Sequence, residues 1–295
     1  MNTKPHFPPS ELIINEDGSI FHLHLKPDQL ADKVILVGDP ERVNLVASNF
    51  EQKECDVKNR EFHTITGTTH DGKRISVVST GIGCDNIDIV LNELDALANI
   101  DFNTREMKPQ AKSLQLVRIG TCGGLQHNTP AGTFICSVIS IGLDGLLNFY
   151  EGRNAVSDLP LERALLNHLG WSGNLCAPNL YAVHANPELA ERIAGEDMIR
   201  GITVACGGFF GPQGRRLRIP LADPRQNEKM KSFLWHGLSI TNYEMESSAL
   251  AGLALLLGHK ATTCCMVIAN RVEKEADTRY KTHIDTLIKT VLERI

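Results

Sequence analysis

Short runs of branched apolar residues alternate along the chain with stretches in which apolar positions recur every three or four residues. The first run, Val34-Ile35-Leu36-Val37, stops at Gly38-Asp39-Pro40. A glycine closing an apolar run, with proline at a helix start, predicts a buried strand feeding a helix. Residues Phe62–Thr69 and Arg74–Thr80 predict a hairpin around Asp71-Gly72, a strong turn pair. Ile87, Val90, Leu91, Leu94 and Leu97 keep helical spacing. A second glycine-terminated strand is expected at Leu114–Ile119, followed by a turn at Gly120-Thr121-Cys122-Gly123-Gly124. Further strands are expected at 133–140, 180–184, 202–206 and 262–269, with a Gly- and Arg-rich loop at 207–218 and an Ala/Leu-rich helix at 245–259. Tyr280, Ile284, Leu287, Ile288, Val291, Leu292 and Ile295 form the stripe of a docked terminal helix. Strands alternating with helices imply an α/β fold whose largely parallel or mixed sheet is covered on both faces. Residues 1–20, rich in Pro, Asn and charge, read as a flexible arm. Residues 21–295 read as one domain, and 103–112 as a small polar surface insertion.

Composition narrows the class without naming a chemistry. A chain of 295 residues with 42% hydrophobic and 22% charged residues can bury a large core and is not disordered. Thirty basic and thirty-five acidic residues give a net charge of −5, with no tail that concentrates it. That lacks the electrostatic footprint of a duplex binder, so no nucleic-acid partner is expected. The longest nearly apolar stretch, 249–258, falls short of the roughly 20 residues that span a bilayer. The first nine residues have no apolar core of a signal peptide, so the expectation is a cytoplasmic protein without a membrane partner. Eight cysteines stand at 55, 84, 122, 136, 176, 206, 264 and 265, none in a CxxC pair. They read as buried thiols, with Cys264 and Cys265 facing opposite sides of a strand, ahead of a zinc site or a disulfide framework.

Ligands of such sheets bind beyond the carboxyl ends of strands, so the turns there come first. Gly38-Asp39-Pro40-Glu41-Arg42 puts a glycine at a strand end and an arginine in the first helical turn. Arg118-Ile119-Gly120-Thr121-Cys122-Gly123-Gly124 adds a second arginine, a hydroxyl and small residues whose N–H groups can approach an anion. Together they suit a phosphate; singly, each is explained by tight turns and solvated or paired arginines. Neither the P-loop nor the dinucleotide fingerprint is present, since Gly81-Ile82-Gly83 lacks the third glycine. In Phe209-Phe210-Gly211-Pro212-Gln213-Gly214-Arg215, an amide and a guanidinium two residues apart suit the imide edge of uracil, with Phe209 free to stack. A solvated basic loop accounts for the same residues, as Arg216 and Arg218 follow. In Tyr243-Glu244-Met245-Glu246, two carboxylates bracket a methionine where a strand becomes a helix. They suit either the helix N-terminus or the paired hydroxyls of a sugar.

In this order these segments resemble the nucleoside phosphorylase family, in its pyrimidine branch. The resemblance runs from about Phe21 to the C-terminus on Phe21-His22-Leu23, Gly38–Arg42, Arg60-Glu61-Phe62, Ser79–Gly83, Arg118–Thr121, Gln213-Gly214-Arg215, Glu244–Glu246 and Asn270-Arg271. It implies a three-layer α/β/α fold around a mixed, partly barrelled sheet, and phosphorolysis of uridine to uracil and ribose 1-phosphate. It further implies that Gly38, Arg42, Arg118 and Thr121 bind phosphate, with Arg60 reaching in from a neighbouring subunit of a homo-oligomer. His22, also from the neighbour, would bond the ribose 5′-hydroxyl, while Glu246 holds the 2′- and 3′-hydroxyls and Met245 packs on the sugar. Phe209, Gln213, Arg215, Ile268 and Arg271 would form the base site. Arg118, Glu246 and Arg215 would carry most of the catalytic effect. The family's purine branch has a Ser-Asp pair where this chain has Asn270-Arg271, and its hydrolytic relatives use water in place of phosphate. No cofactor is implied beyond phosphate as co-substrate. Bacterial relatives bind a monovalent cation beside the residue matched by Glu61, but Cys84-Asp85-Asn86 replaces their usual Gly-Pro-Ser, which puts potassium in doubt.

Overall fold

A computed structural model describes residues 6–173, 177–277 and 283–295. Its elements run β1 Lys33–Val37, α1 Pro40–Ala47, β2 Phe50–Asn59, β3 Phe62–Thr69, β4 Arg74–Ser79 and α2 Cys84–Asn99. Then come β5 Ile100–Asp101, β6 Glu106–Met107, β7 Gln115–Gly124, β8 Phe134–Gly142, α3 Arg153–Val156, α4 Leu159–Leu169, β9 Tyr181–His184 and α5 Pro187–Ala194. The chain continues through β10 Ile199–Ala205, α6 Gln226–Ser232, β11 Leu234–Trp235, β12 Leu238–Glu244, α7 Ser247–Leu257, β13 Lys260–Asn270, β14 Glu275–Ala276 and α8 Ile284–Arg294.

Among the described residues, the main sheet runs β11-β12-β10-β8-β13-β7-β1-β4-β3-β2, with parallel pairing at its centre. The end of β12 also pairs with the end of β7, Asn242 opposite Gly124 and Tyr243 opposite Gly123. That extra ladder closes β12, β10, β8, β13 and β7 into a partial barrel. One face packs on α2 and α7 and another on α1, α5 and α8, which gives the three layers expected from sequence. Helix α7 is buried from Ser247 to Ala254, so its near-uniform apolar composition reflects a position inside the molecule. Cys264 and Cys265 face different apolar clusters, as strand alternation requires. Cys176 and Tyr280 lie outside the described residues.

Three expectations change. Gly120–Gly124 is not a turn but the second half of β7, paired with β13 and, at its end, with β12. Glycine interrupts the apolar signal that marks a strand, yet here it clears space: a Cβ on Gly124 would lie 2.4 Å from the Thr129 carbonyl oxygen. Residues 6–20 are not loose. Leu12 and Ile20 are buried, Phe7 N–H donates to Arg105 O at 2.9 Å, and Arg105 donates to Leu12 O at 2.7 Å. The polar insertion provides the support, because β5 and β6 pair into a hairpin whose Glu106 bridges His6. Strand β2 was not anticipated: as an edge strand of alternating charge, Phe50-Glu51-Gln52-Lys53-Glu54, it carries little apolar signal.

Candidate active site

Parallel register brings the first candidate residues together. Leu36 pairs with Arg118 and Val37 with both Ile119 and Ser79, so β1, β4 and β7 present Gly38, Gly81 and Gly120-Thr121 side by side. Asp39 then caps α1 by accepting from Glu41 N–H at 2.9 Å. Gly38 lets the strand ends approach closely: a Cβ there would sit 3.3 Å from Gly81 O, a tight contact, and 3.7 Å from the Arg118 guanidinium. Arg42 turns back over the strand ends and donates to Ile119 O at 3.3 Å. Gly38, Arg42, Arg118 and Thr121 all line one cavity of about 690 Å³.

Arg118 is buried between two carboxylates, bonded to Glu246 and 3.5 Å from Glu244. Burial works against its charge, but Glu246 and Glu244 outweigh that and raise its pKa further. The two carboxylates are not equivalent. Glu244 accepts from Glu246 N–H at 2.9 Å, from Ser247 N–H at 3.0 Å and from Ser247 Oγ at 2.7 Å, so it serves the N-terminus of α7. Glu246 accepts from Gly83 N–H at 2.8 Å; Glu244, Met245 and Glu246 all line the cavity. Burial pushes Glu246 up to about 7, against the pull of Arg118 and with the charge of Glu244 adding to the rise.

Phe209, Gln213, Arg215 and Ile268 line the same cavity. Gln213 is buried, and its Oε1 accepts from Arg215 at 2.6 Å and from Arg271 at 3.3 Å. The two guanidinium groups thus converge on one amide oxygen. Burial first, then the charge of Arg271, lowers Arg215 to about 10, and burial lowers Arg271 as well. Phe209 does not present two free faces to a base, because the Arg215 guanidinium stands 3.5 Å from its ring centroid. Arg271 lies behind Gln213 and is not part of the cavity lining.

His22 and Arg60 do not line this cavity either. They gather on one surface: Arg60 lies over the Phe21 ring at 5.3 Å, and His22 meets the same ring edge-on at 4.8 Å. Glu93 holds His22 at its ring (2.6 Å) and its backbone N–H (2.9 Å). Glu93 was not singled out from sequence, and Gly83 and Tyr243 stood in the sequence motifs without a role. Glu93 sits in a plain amphipathic helix pattern, and the contributions of the other two depend on partners more than a hundred residues away. Glu61 and Asn86 flank Gly81 at the cavity wall. Among the described residues, no three His, Cys, Asp or Glu side chains group as metal ligands, and no helix is long and apolar enough to cross a membrane.

Arg42 and Arg118, the carboxylates of Glu244 and Glu246, and the Gln213–Arg215 pair thus meet in this one cavity. A solved nucleoside phosphorylase from Trypanosoma brucei, which shows uridine phosphorylase activity, matches with a TM-score of 0.86 at 29% identity, covering 96% of this chain and 98% of that one. The model of the phosphorylase superfamily matches residues 32–293, and the chain belongs to that superfamily. Uridine phosphorylase of Thermococcus kodakarensis is 30% identical over 88% of this chain and 80% of its own length. That of Haemophilus influenzae is 29% identical over 88% and 89%. A DeoD-type purine nucleoside phosphorylase of Bacillus velezensis is 26% identical over 93% and 98%.

Proposed function

We propose that this protein is a uridine phosphorylase, a pentosyltransferase that cleaves uridine reversibly to uracil and ribose 1-phosphate in pyrimidine salvage in the cytoplasm. The observation that carries the reading is the convergence of Arg215 and Arg271 on Gln213 in the cavity that also holds Arg42, Arg118 and Glu246. When a base enters, the Gln213 oxygen can exchange one guanidinium for the ring N–H of an imide, which frees Arg215 to donate to a flanking carbonyl.

Phosphate, held by Gly38, Arg42, Arg118 and Thr121, attacks the anomeric carbon as the glycosidic C–N bond breaks. The bond pair leaves with uracil, whose anion spreads over its two carbonyl oxygens. Arg215 and Gln213 stabilise that developing charge. Glu246 holds the 2′- and 3′-hydroxyls and Met245 packs on the sugar, so attack proceeds from a fixed geometry. In this reading His22 and Arg60 serve the cavity of a second copy, which fits their shared surface and their absence from the cavity of their own chain.

A purine substrate fits less well. Asn270-Arg271 stands where that branch has its Ser-Asp pair, so a guanidinium replaces the carboxylate. Arg271 donates to Gln213 Oε1 at 3.3 Å, while the Asn270 amide donates to Gln126 O and Thr129 O and its oxygen accepts from Val272 and Glu273 N–H. Neither side chain is a carboxylic acid that could protonate a leaving purine.

Purified protein incubated with uridine, with and without phosphate, tests the proposal. Uracil and ribose 1-phosphate should form only when phosphate is present. Uracil release without phosphate would mark a hydrolase, and bound uridine without turnover a binding protein. Repeating the assay with sodium in place of potassium asks whether a monovalent cation binds beside Glu61 and Asn86, where Cys84-Asp85-Asn86 replaces the relatives' Gly-Pro-Ser; an unchanged rate would speak against one.

A further inference from the structure

The turn carrying Met245 and Glu246 is held from below by groups outside the cavity lining. Cys84 follows Gly83, whose N–H binds Glu246. Its thiol donates to Met245 O at 3.2 Å and stands 3.7 Å from Ser248 Oγ. Burial, then the charges of Asp144 and Glu244, raises this thiol well above its ordinary pKa, which keeps it a donor. Ser248 donates to Asp144 Oδ2 at 2.9 Å. The hydroxyl of fully buried Tyr181 reaches Asp144 Oδ1 at 2.9 Å, and Leu146 N–H donates to the same oxygen at 2.8 Å. One carboxylate after β8 therefore ties together β9, its own loop and the first turn of α7.

Such a network is costly to keep where apolar packing would serve, because a partly buried carboxylate needs every donor in place. Its position accounts for it. The links from Cys84 end on Met245 and Ser248, and that from Asp144 on Ser248, all within two residues of Glu246. Tyr181 and Leu146 fix the carboxylate that Ser248 meets.

We propose that Asp144 and Cys84 are positioning residues for the sugar, setting the Met245–Glu246 turn so that the carboxylate meets the 2′- and 3′-hydroxyls. The inference rests on the reading of Glu246 as the ribose ligand. A displacement of about 1 Å at such a group costs on the order of a hundredfold in rate, and only for substrates that carry the hydroxyls it binds.

The test is the ratio of kcat/KM for uridine to that for 2′,3′-dideoxyuridine, in wild type and in Glu246→Gln, Cys84→Ala, Cys84→Ser and Asp144→Asn. Intrinsic lability of the dideoxy bond cancels when variants are compared. Wild type should favour uridine and Glu246→Gln should lose that preference. Cys84→Ala and Asp144→Asn should each lose about tenfold or more of it, whereas Cys84→Ser, which keeps a donor, retains it. If both variants lower activity or Tm yet keep the wild-type ratio, the network is merely structural and the inference falls. If wild type and Glu246→Gln share one ratio, it is the ribose reading that fails. Should Asp144→Asn not fold, the Cys84 pair decides alone.

Discussion

Glu244 and Glu246 are chemically alike and two positions apart, yet they have different tasks. Both line the cavity, but Glu244 spends its oxygens on the N–H groups of Glu246 and Ser247 and on the Ser247 hydroxyl, while Glu246 bonds Arg118 and Gly83 N–H. Sequence showed both and offered both roles; the allocation depends on where the α7 turn points. A pH dependence follows for the second. Glu246 rises from 4.5 in the unfolded chain to about 7 in the folded one, so the folded chain holds this proton more tightly. Its contribution to stability is then lost as pH rises across that window. Glu246→Gln removes the ionisation, so the variant should gain on wild type by on the order of 2–3 kcal/mol between about pH 5 and about pH 8. Urea unfolding at both pH values measures this, and a constant difference would show an unperturbed group. For the base site, Arg215→Ala should lower kcat/KM for uridine about a hundredfold or more. Phosphate binding, followed by thermal shift, should stay near wild type; equal loss of both would mean that the base loop is misassigned.

Strand β7 does more than its apolar half predicts. Its first five residues are legible as a buried strand, and its glycine-rich second half reads as a turn until pairing with β13 and β12 holds it extended. Because β12 meets β7 there, the strand carrying Arg118 and Thr121 adjoins the strand that ends in Glu244. Helix α7 begins at that junction and depends on Glu244 for its cap. Glu244→Ala removes the acceptor of two N–H groups and a hydroxyl, and one of the two carboxylates around Arg118. A loss of about 3 kcal/mol or more is expected, read as a fall in Tm. A change below about 0.5 kcal/mol would mean that the helix has another cap.

His22 and Arg60 test the assembly as a whole. If each serves a neighbour's cavity, Arg60→Ala and Glu246→Ala are inactive for reasons that lie in different subunits. Mixed, dissociated and reassembled, they should recover about a quarter of wild-type activity, since half the dimers are mixed and each has one intact site. No recovery, with mixed dimers demonstrated, would place Arg60 in its own chain's site. The sequence by itself determined the alternation of strands and helices and which polar residues stand near the strand ends, because apolar periodicity and strand-end residues are local properties. It could not show that residues 6–20 dock on the 100–107 hairpin, or that β7 meets β12. Nor could it show that Arg215 covers Phe209, or that Asp144 meets Ser248 at the start of α7. Those depend on which distant segments share a few ångströms, and long-range pairing in the folded chain decides that.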